Sequence, residues 1–301
     1  MKKTVLILII SIVFFGCKNE KQTNGKLNVV TTTSMITDLV KNIGGEHINL
    51  QGLMGSGVDP HLYKASEGDV TKLSSADIIF YNGLHLEGKL VEVFEKMKNI
   101  KTIAIGDALD KNTLIGSEYF ASNYDPHIWF NIQYWKQATQ FVVNKLSEAI
   151  PEQKTVFETN GAAYTKQLEA LETRLTTTIE TLPKDQRILV TAHDAFNYFG
   201  KAFNFEVHGL QGLSTATEAG VQDVQKLSAF IIEKKVKAIF VESSVPKRTI
   251  EALQAAVNSK GHNVIIGGSL YSDALGNAGT IEGTYIGMFE YNVNTIVNAL
   301  K

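Results

Sequence analysis

The sequence predicts an α/β fold of two lobes with parallel sheets, joined by a single long helix. In both halves of the 301-residue chain, short apolar segments alternate with amphipathic segments, which is typical of strands and helices in a buried parallel sheet. Between the halves, the stretch from Pro151 to Pro183 has apolar residues mostly three or four apart, as a helix would. We therefore expect lobes at 27–150 and 184–301 and a linking helix at 151–183.

Each half contains four predicted strands. Those of the first half are LNVVTTT, INLQGLM, DIIFYNG and KTIAIGD, and those of the second are RILVTAHD, FEVHGLQG, VKAIFVESS and NVIIGGS. Predicted helices in the first half are SMITDLVKNI, with Ser34 as its N-cap, a segment near 66–74, and LEGKLVEVFEKMK. Those in the second half are AFNYFGKAF, TEAGVQDVQKLSAFIIEKK, PKRTIEALQAAVNSKG, which starts at Pro246, and EGTYIGMFEYNVNTIVNAL.

The linking helix is long enough to connect both lobes as a stiff brace. Its apolar stripe comprises Val156, Tyr164, Leu168, Leu171, Leu175, Ile179 and Leu182. Roughly 30 helical residues extend about 45 Å. The alternative is two shorter helices broken at Gly161, because glycine costs about 1 kcal/mol inside a helix.

The N-terminus predicts export and lipidation. Two lysines and a short uncharged run make residues 1–16 a secretory signal peptide, although a short N-terminal membrane anchor is the alternative. Cys17, the only cysteine in the sequence, resembles the lipidation site of bacterial lipoproteins. Polar residues 17–26 then form a flexible tether from a membrane-embedded lipid anchor to the folded body. The net charge of −2 offers no basic field for nucleic acid.

Two of the seven histidines, His61 and His127, each follow an Asp-Pro pair. Proline fixes its own φ and forces the preceding residue into an extended conformation, so a stiff loop aims each imidazole. A metal ligand benefits from such preorganisation. His193 ends an apolar strand and Asp273 follows another, and the carboxyl ends of parallel strands are where ligands bind in open α/β sheets. These four residues are the candidate metal ligands.

The other histidines have weaker claims. His47, His208 and His262 are predicted to be surface or outer residues. His85 also follows a strand and is a candidate for lining the cleft. Glu242, after the strand IFVE, is a candidate to orient a ligating imidazole from outside the ligand shell.

The residues resemble a known family: the metal-binding receptors of bacterial ABC transporters for zinc and manganese, of the TroA type. The matching stretches are VVTTTSMITDLV, GLMGSGVDPHLYKASEGDV, ADIIFYNGLHLE, DPHIWFN, VTAHDAFNYF, GLQGLSTATEAG, IFVESSVP, GGSLYSDALG and GTYIGM. They cover nearly everything after the tether, in order.

This resemblance implies that His61, His127, His193 and Asp273 bind the metal in the cleft between the lobes. It also implies an extracytoplasmic receptor, without enzyme activity, that delivers its ion to the transmembrane permease of an ABC transporter. We expect it to be a monomer in the periplasm or at the cell surface. In the family, histidine at the position of His193 accompanies zinc-accepting or mixed receptors, whereas glutamate accompanies manganese receptors.

Three imidazoles and one carboxylate favour zinc first and manganese second, because manganese prefers oxygen donors and is the weaker binder in the divalent series. Many zinc-specific members of the family carry a long histidine-rich loop near the second ligand, and the stretch before His127 lacks one, so the resemblance does not imply dedicated zinc scavenging. Two other functions remain open. An extracytoplasmic zinc hydrolase would keep three protein ligands and an open water position, and a lipid-anchored adhesin would add cell adhesion as a further role.

Overall fold

The computed structural model describes residues 25–97, 100–118 and 120–301. The predicted signal peptide, the lipidation site Cys17 and all but the last two residues of the predicted tether lie outside these ranges. Among the described residues, we find no helix whose length and apolar content would let it cross a bilayer.

The first lobe is a four-stranded parallel sheet in the order β2-β1-β3-β4. Its strands are β1 (Leu27–Thr31), β2 (Ile48–Gly52), β3 (Ile78–Tyr81) and β4 (Lys101–Ala104). Its helices are α1 (Ser34–Gly44), α2 (Glu67–Ser75), α3 (Val91–Lys96) and α4 (Ile132–Ala149). Helix α4 was not among the predicted elements. Its N-cap is Asn131, whose side chain accepts hydrogen bonds from the backbone N–H groups of Gln133 and Tyr134.

The linking segment is one continuous helix, α5 (Lys154–Glu180), preceded by a 3₁₀ turn over Pro151–Gln153. The alternative with a break at Gly161 is wrong. Gly161 is buried against α4, and a Cβ atom there would lie 2.4 Å from Cγ2 of Val143. Glycine is therefore needed for the close approach of the two helices, which offsets its low helix propensity.

The second lobe repeats the alternation of strands and helices. Its strands are β5 (Ile188–His193), β6 (Glu206–Gln211), β7 (Ala238–Glu242) and β8 (Ile265–Leu270), and its helices are α6 (Asn197–Phe203), α7 (Val221–Lys234), α8 (Arg248–Asn258) and α9 (Tyr285–Leu300). Strands β5 and β6 pair in parallel, as do β7 and β8, and β5 lies beside β7. The predicted fold class is confirmed: α5 packs against α1 and α4 of the first lobe and against α9 of the second.

Two details of the helix starts differ from the prediction. Thr33, not Ser34, caps α1, because its side chain accepts the backbone N–H of Ile36. The hydroxyl of Ser34 instead accepts the backbone N–H of Leu275 in the second lobe, at 2.8 Å. Helix α8 begins at Arg248, two residues after Pro246.

Aromatic side chains join the lobes beneath the cleft. The rings of Phe130 in the first lobe and Phe196 in the second have centroids 4.4 Å apart. The indole N–H of Trp129 donates to the carbonyl oxygen of Ser272 at 2.9 Å, and the hydroxyl of Tyr285 donates to the carbonyl oxygen of Trp129 at 2.6 Å. The segment directly after His127 is thus anchored in the second lobe, within a core that is continuous between both.

Candidate metal centre

The four candidate ligands lie beyond, or at, the carboxyl ends of strands from both lobes. His61 is in the loop after β2 and His127 is in the loop that leads from β4 to α4. His193 is the last residue of β5, and Asp273 lies three residues beyond β8. Parallel strands present these ends at the same edge of each sheet. Since side chains from both edges converge, the two edges face each other across the cleft.

The four side chains converge on one point. One ligand atom from each residue lies within 4.8 Å of all the others. The Asp273 carboxylate oxygens are 3.2 Å from Nε2 of His193, 3.6 Å from Nε2 of His127 and 3.8 Å from Nε2 of His61. In a tetrahedral zinc site with bonds near 2.0 Å, donors are about 3.3 Å apart. The observed separations are therefore close to those that a zinc ion requires.

The donor atoms are buried without hydrogen-bond partners. This holds for Nε2 of all three histidines and for both carboxylate oxygens of Asp273. His127 and His193 are fully buried, and His61 is 6% exposed. Buried polar atoms normally have partners, and a missing partner costs about 1–3 kcal/mol. A cation bonded to all four residues would satisfy these atoms at once.

Both Asp-Pro-His segments form the same local turn. Oδ1 of Asp59 accepts the backbone N–H of His61 at 2.8 Å, and Oδ1 of Asp125 accepts that of His127 at 2.9 Å. An aspartate that accepts the N–H two residues ahead forms an Asx turn, with the proline between them fixing φ. The repeated tripeptide thus gives each histidine a backbone held by its own aspartate.

Carboxylates outside the ligand group orient two of the imidazoles. Nδ1 of His127 is 2.7 Å from Oδ1 of Asp125, and Nδ1 of His193 is 2.5 Å from Oε2 of Glu242. Glu242 also accepts the backbone N–H of His193 at 2.8 Å. When Nδ1 donates its proton to a carboxylate, Nε2 is left as the lone-pair donor that a metal needs. Both rings therefore present the correct nitrogen to the centre.

The charges around the centre oppose the effect of burial. Burial acts to raise the pKa of Asp273, but the neighbouring imidazoles, His193 first, outweigh it and hold that pKa well below its usual range. Burial acts to lower the pKa of His193, but Asp273 and Glu242 raise it well above 6.5. Burial dominates at His61 and lowers its pKa to about 3. In the absence of metal, these shifts favour the ionised form of Asp273, the protonated form of His193 and the neutral form of His61.

Residues 29–299 match the family described as ZnuA, zinc-uptake complex component A, periplasmic. The chain is 46% identical to the manganese-binding lipoprotein MntA of Bacillus subtilis over 98% of its own length and 97% of that protein's. It is 47% identical to the zinc-binding protein TroA of Treponema pallidum over 95% and 92% of the two lengths. The solved structure of the Treponema protein superposes with a TM-score of 0.89 and 48% identity, covering 92% of this chain and 99% of that one.

The chain belongs to the ZnuA family. Family membership and the two-lobe fold, which the quoted motifs predicted, are thus confirmed. In the described part of the chain, the four candidate ligands form the group of His and Asp side chains that could hold a metal ion together.

The remaining predicted residues lie apart from the four donors. His85 is exposed, adopts a φ of 62°, and packs its ring edge-on against Phe120 with centroids 6.1 Å apart. It is not in the converging group. Nε2 of His208 is 3.1 Å from a Glu206 oxygen, and Nε2 of His262 is 2.9 Å from the carbonyl oxygen of Val236.

Sequence reasoning missed the residues that support the first lobe's ligand loops. The sequence marks Asp59 and Asp125 only as part of a stiff tripeptide, yet each accepts two or more hydrogen bonds. Two of their partners, Thr215 and Asn197, come from the second lobe. The repeated Asp-Pro-His tripeptide is the sequence signal that could have identified Asp59 and Asp125. Nothing local in the sequence marks Thr215 and Asn197.

Proposed function

We propose that this chain is an extracytoplasmic receptor that binds one divalent transition-metal ion and delivers it to the permease of an ABC transporter. The observation that carries the proposal is the convergence of His61, His127, His193 and Asp273, with five buried donor atoms that have no other partner. The names of the relatives agree with this function, since they include zinc-binding and manganese-binding proteins and substrate-binding lipoproteins of metal ABC transporters.

Zinc is the preferred ion of this proposal. Three imidazole nitrogens and one carboxylate oxygen are a common tetrahedral donor set for zinc. Manganese is the second choice, because both oxygens of Asp273 are free to bind and a bidentate carboxylate would add a fifth donor. The two kinds of relative, one named for zinc and one for manganese, are similar to this chain to the same degree.

We further propose that Cys17 carries a lipid that anchors the receptor, as a monomer, to a membrane, with the folded protein in the periplasm or at the cell surface. Relatives named as lipoproteins support this location. A permease then receives the ion from the cleft. Because the ligands come from both lobes, metal links the lobes, and the loaded protein differs from the empty one at the cleft.

We propose no enzymatic role. A catalytic zinc site keeps an open position for water, whereas four protein donors fill a tetrahedral shell. The hydrolase alternative predicts metal-dependent turnover of esters or phosphates that is lost when Asp273 alone is replaced. The adhesin alternative stays a separate prediction, and binding to host matrix that chelators leave unchanged would support it.

Two measurements test the receptor function. Elemental analysis of protein purified without chelators or metal columns should find about one bound transition-metal ion per chain. Zinc should also raise the midpoint of thermal unfolding, because a ligand that binds only the native state stabilises it by RT ln(1 + [L]/Kd), about 4 kcal/mol at 1,000 times Kd. Asp273→Asn should lose this increase, whereas the control Asp185→Asn, at an exposed position, should keep it. An unchanged midpoint for the wild-type chain with zinc contradicts the proposal.

A further inference from the structure

Both Asp-Pro-His aspartates connect the first lobe to the second. Each uses Oδ1 for the backbone of its own histidine, which leaves Oδ2 for another partner. Oδ2 of Asp59 accepts the hydroxyl of Thr215 at 2.5 Å, and Oδ2 of Asp125 accepts the side-chain N–H of Asn197 at 3.1 Å. The same motif thus makes the same kind of cross-lobe bond twice.

The two partners lie where the second lobe presents its own ligands. Asn197 is the first residue of α6, four residues after the ligand His193. Thr215 is in the loop between β6 and α7 and is 8% exposed. Neither side chain belongs to the group that converges on the ion. Each therefore acts on a first-lobe ligand through the aspartate that holds the ligand's loop, and Asn197 also hydrogen-bonds to the carboxylate of Asp194, next to His193.

We propose that Thr215 and Asn197 are positioning residues that slow the release of the bound metal by holding the two histidine loops of the first lobe against the second lobe. The proposal rests on the proposed receptor function. Each bond joins a neutral donor to a carboxylate, and such charge-assisted bonds are stronger than neutral ones, particularly when they are shielded from water.

Release is the step that these bonds oppose. For the ion to leave, the loops that carry the first lobe's donors must move away from the second lobe's donors, and the cross-lobe bonds of these loops oppose that movement. A bond that is present in the closed state and absent from the open state favours the closed state by its full differential energy. Its removal is expected to change dissociation more than association, which is also the usual pattern for contacts within one interface.

The Thr215 bond can be removed with little change in shape. Thr215→Val keeps the branched side chain and deletes the hydroxyl, whereas Thr215→Ser keeps the hydroxyl. Zinc-loaded protein is mixed with excess chelator and the rate of zinc loss is followed. We expect Thr215→Val to lose zinc about tenfold faster than wild type, on the basis of typical energies for hydrogen bonds to charged groups. Thr215→Ser should stay within about twofold of wild type.

A double substitution separates positioning from general loosening of the loop. In an Asp59→Ala background, Thr215→Val should no longer change the rate of zinc loss, because its partner is gone. Asn197→Ala should accelerate zinc loss in the same way, and this effect should vanish in an Asp125→Ala background.

Several results would overturn the proposal. These are equal rates of zinc loss for wild type and Thr215→Val, an equal acceleration in the presence and absence of Asp59, or a change confined to the association rate. If the wild-type chain binds no zinc or manganese, the receptor function fails instead, so the two failures are distinguishable.

Discussion

The two Asp-Pro-His loops have the same tripeptide but support their imidazoles differently. In both, the aspartate holds the backbone of the histidine. In the second loop, the same oxygen of Asp125 also lies 2.7 Å from Nδ1 of His127, and the ring is fully buried. His61 retains slight exposure, and its pKa is lowered to about 3 mainly because its ring is desolvated.

The surroundings of the two loops explain this difference. Three contacts hold the second loop. The carbonyl oxygen of Pro126 accepts from Asn82 at 2.9 Å, and the hydroxyl of Tyr198 donates to the carbonyl oxygen of Asp125 at 3.0 Å. Two residues after His127, the indole N–H of Trp129 donates to the carbonyl oxygen of Ser272 in the second lobe. In the first loop, Asp59 connects to the second lobe by accepting the hydroxyl of Thr215. A motif therefore fixes the local turn, whereas the packing around it decides how rigidly the ligand is held.

Removal of a ligand should have the largest effect, and it should be large for both loops. His61→Ala and His127→Ala should each weaken zinc binding by more than the 10- to 100-fold that is typical when an outer partner is lost. Competition titrations against a chelator of known affinity measure this change. His47→Ala, at a histidine outside the converging group, is the control. If one of the two ligand variants kept wild-type affinity, that histidine would not be a ligand.

Removal of the aspartates should weaken zinc binding to different extents in the two loops. Asp125→Ala should weaken zinc binding about 10- to 100-fold, because Asp125 orients the ring of His127 as well as its backbone. Asp59→Ala should have a smaller effect, because Asp59 holds the backbone of His61 and the Thr215 hydroxyl. The same competition titration compares the variants. An effect of Asp59→Ala that equals or exceeds that of Asp125→Ala would reverse this order.

Protons should compete with the metal at His193 rather than at His61. The pKa of His193 is raised, so zinc must displace its proton at neutral pH, and affinity should fall by at least about tenfold for each pH unit between 7 and 5. His61, with a pKa of about 3, is already neutral throughout this range. Calorimetric titration in buffers of different ionisation enthalpy measures the protons released. Glu242→Gln should reduce the number of protons released, because loss of the carboxylate lowers the pKa of His193. A zinc affinity that is flat from pH 7 to 5 would contradict proton competition at His193.

Loss of either proline should have the smallest effect. Pro60→Ala and Pro126→Ala free the loop in the unfolded and metal-free chain, and such changes are worth about 0.4–1 kcal/mol, or roughly two- to fivefold in zinc affinity. Pro60→Ala should have the greater effect of the two, because the bond from Asn82 to the carbonyl oxygen of residue 126 persists after substitution. Chelator competition with both variants side by side tests the order, which equal losses would refute.

The four candidate ligands could be picked out from the sequence because their signals are local. Asp-Pro-His marks its own stiff turn, His193 ends a recognisable strand, and Asp273 lies three residues after another. Contacts between residues far apart in the chain left no such signal. Thr215 meets Asp59 across 156 positions, and nothing in GLSTATEAG indicates that this hydroxyl faces an aspartate.

The same limit explains why the break at Gly161 was a plausible alternative to one long helix and why Ser34 was the wrong N-cap. Gly161 looks like a break when α5 is considered alone, and it becomes a packing requirement only when α4 lies against it. Ser34 is a good capping residue by type, but Thr33 takes that position and Ser34 bonds to the second lobe. In each case a tertiary contact decided between two locally acceptable arrangements.

The uninterrupted linking helix limits how the two halves can move. Domain closure of the hinge type requires a few residues that absorb a backbone rotation. Helix α5 contains no break from Lys154 to Glu180 and is wedged against α4 at Gly161, so it supplies no such residues. We therefore expect a permease to distinguish cargo-bearing from vacant copies by ångström-scale shifts of short segments at the rim, with little swing of either half.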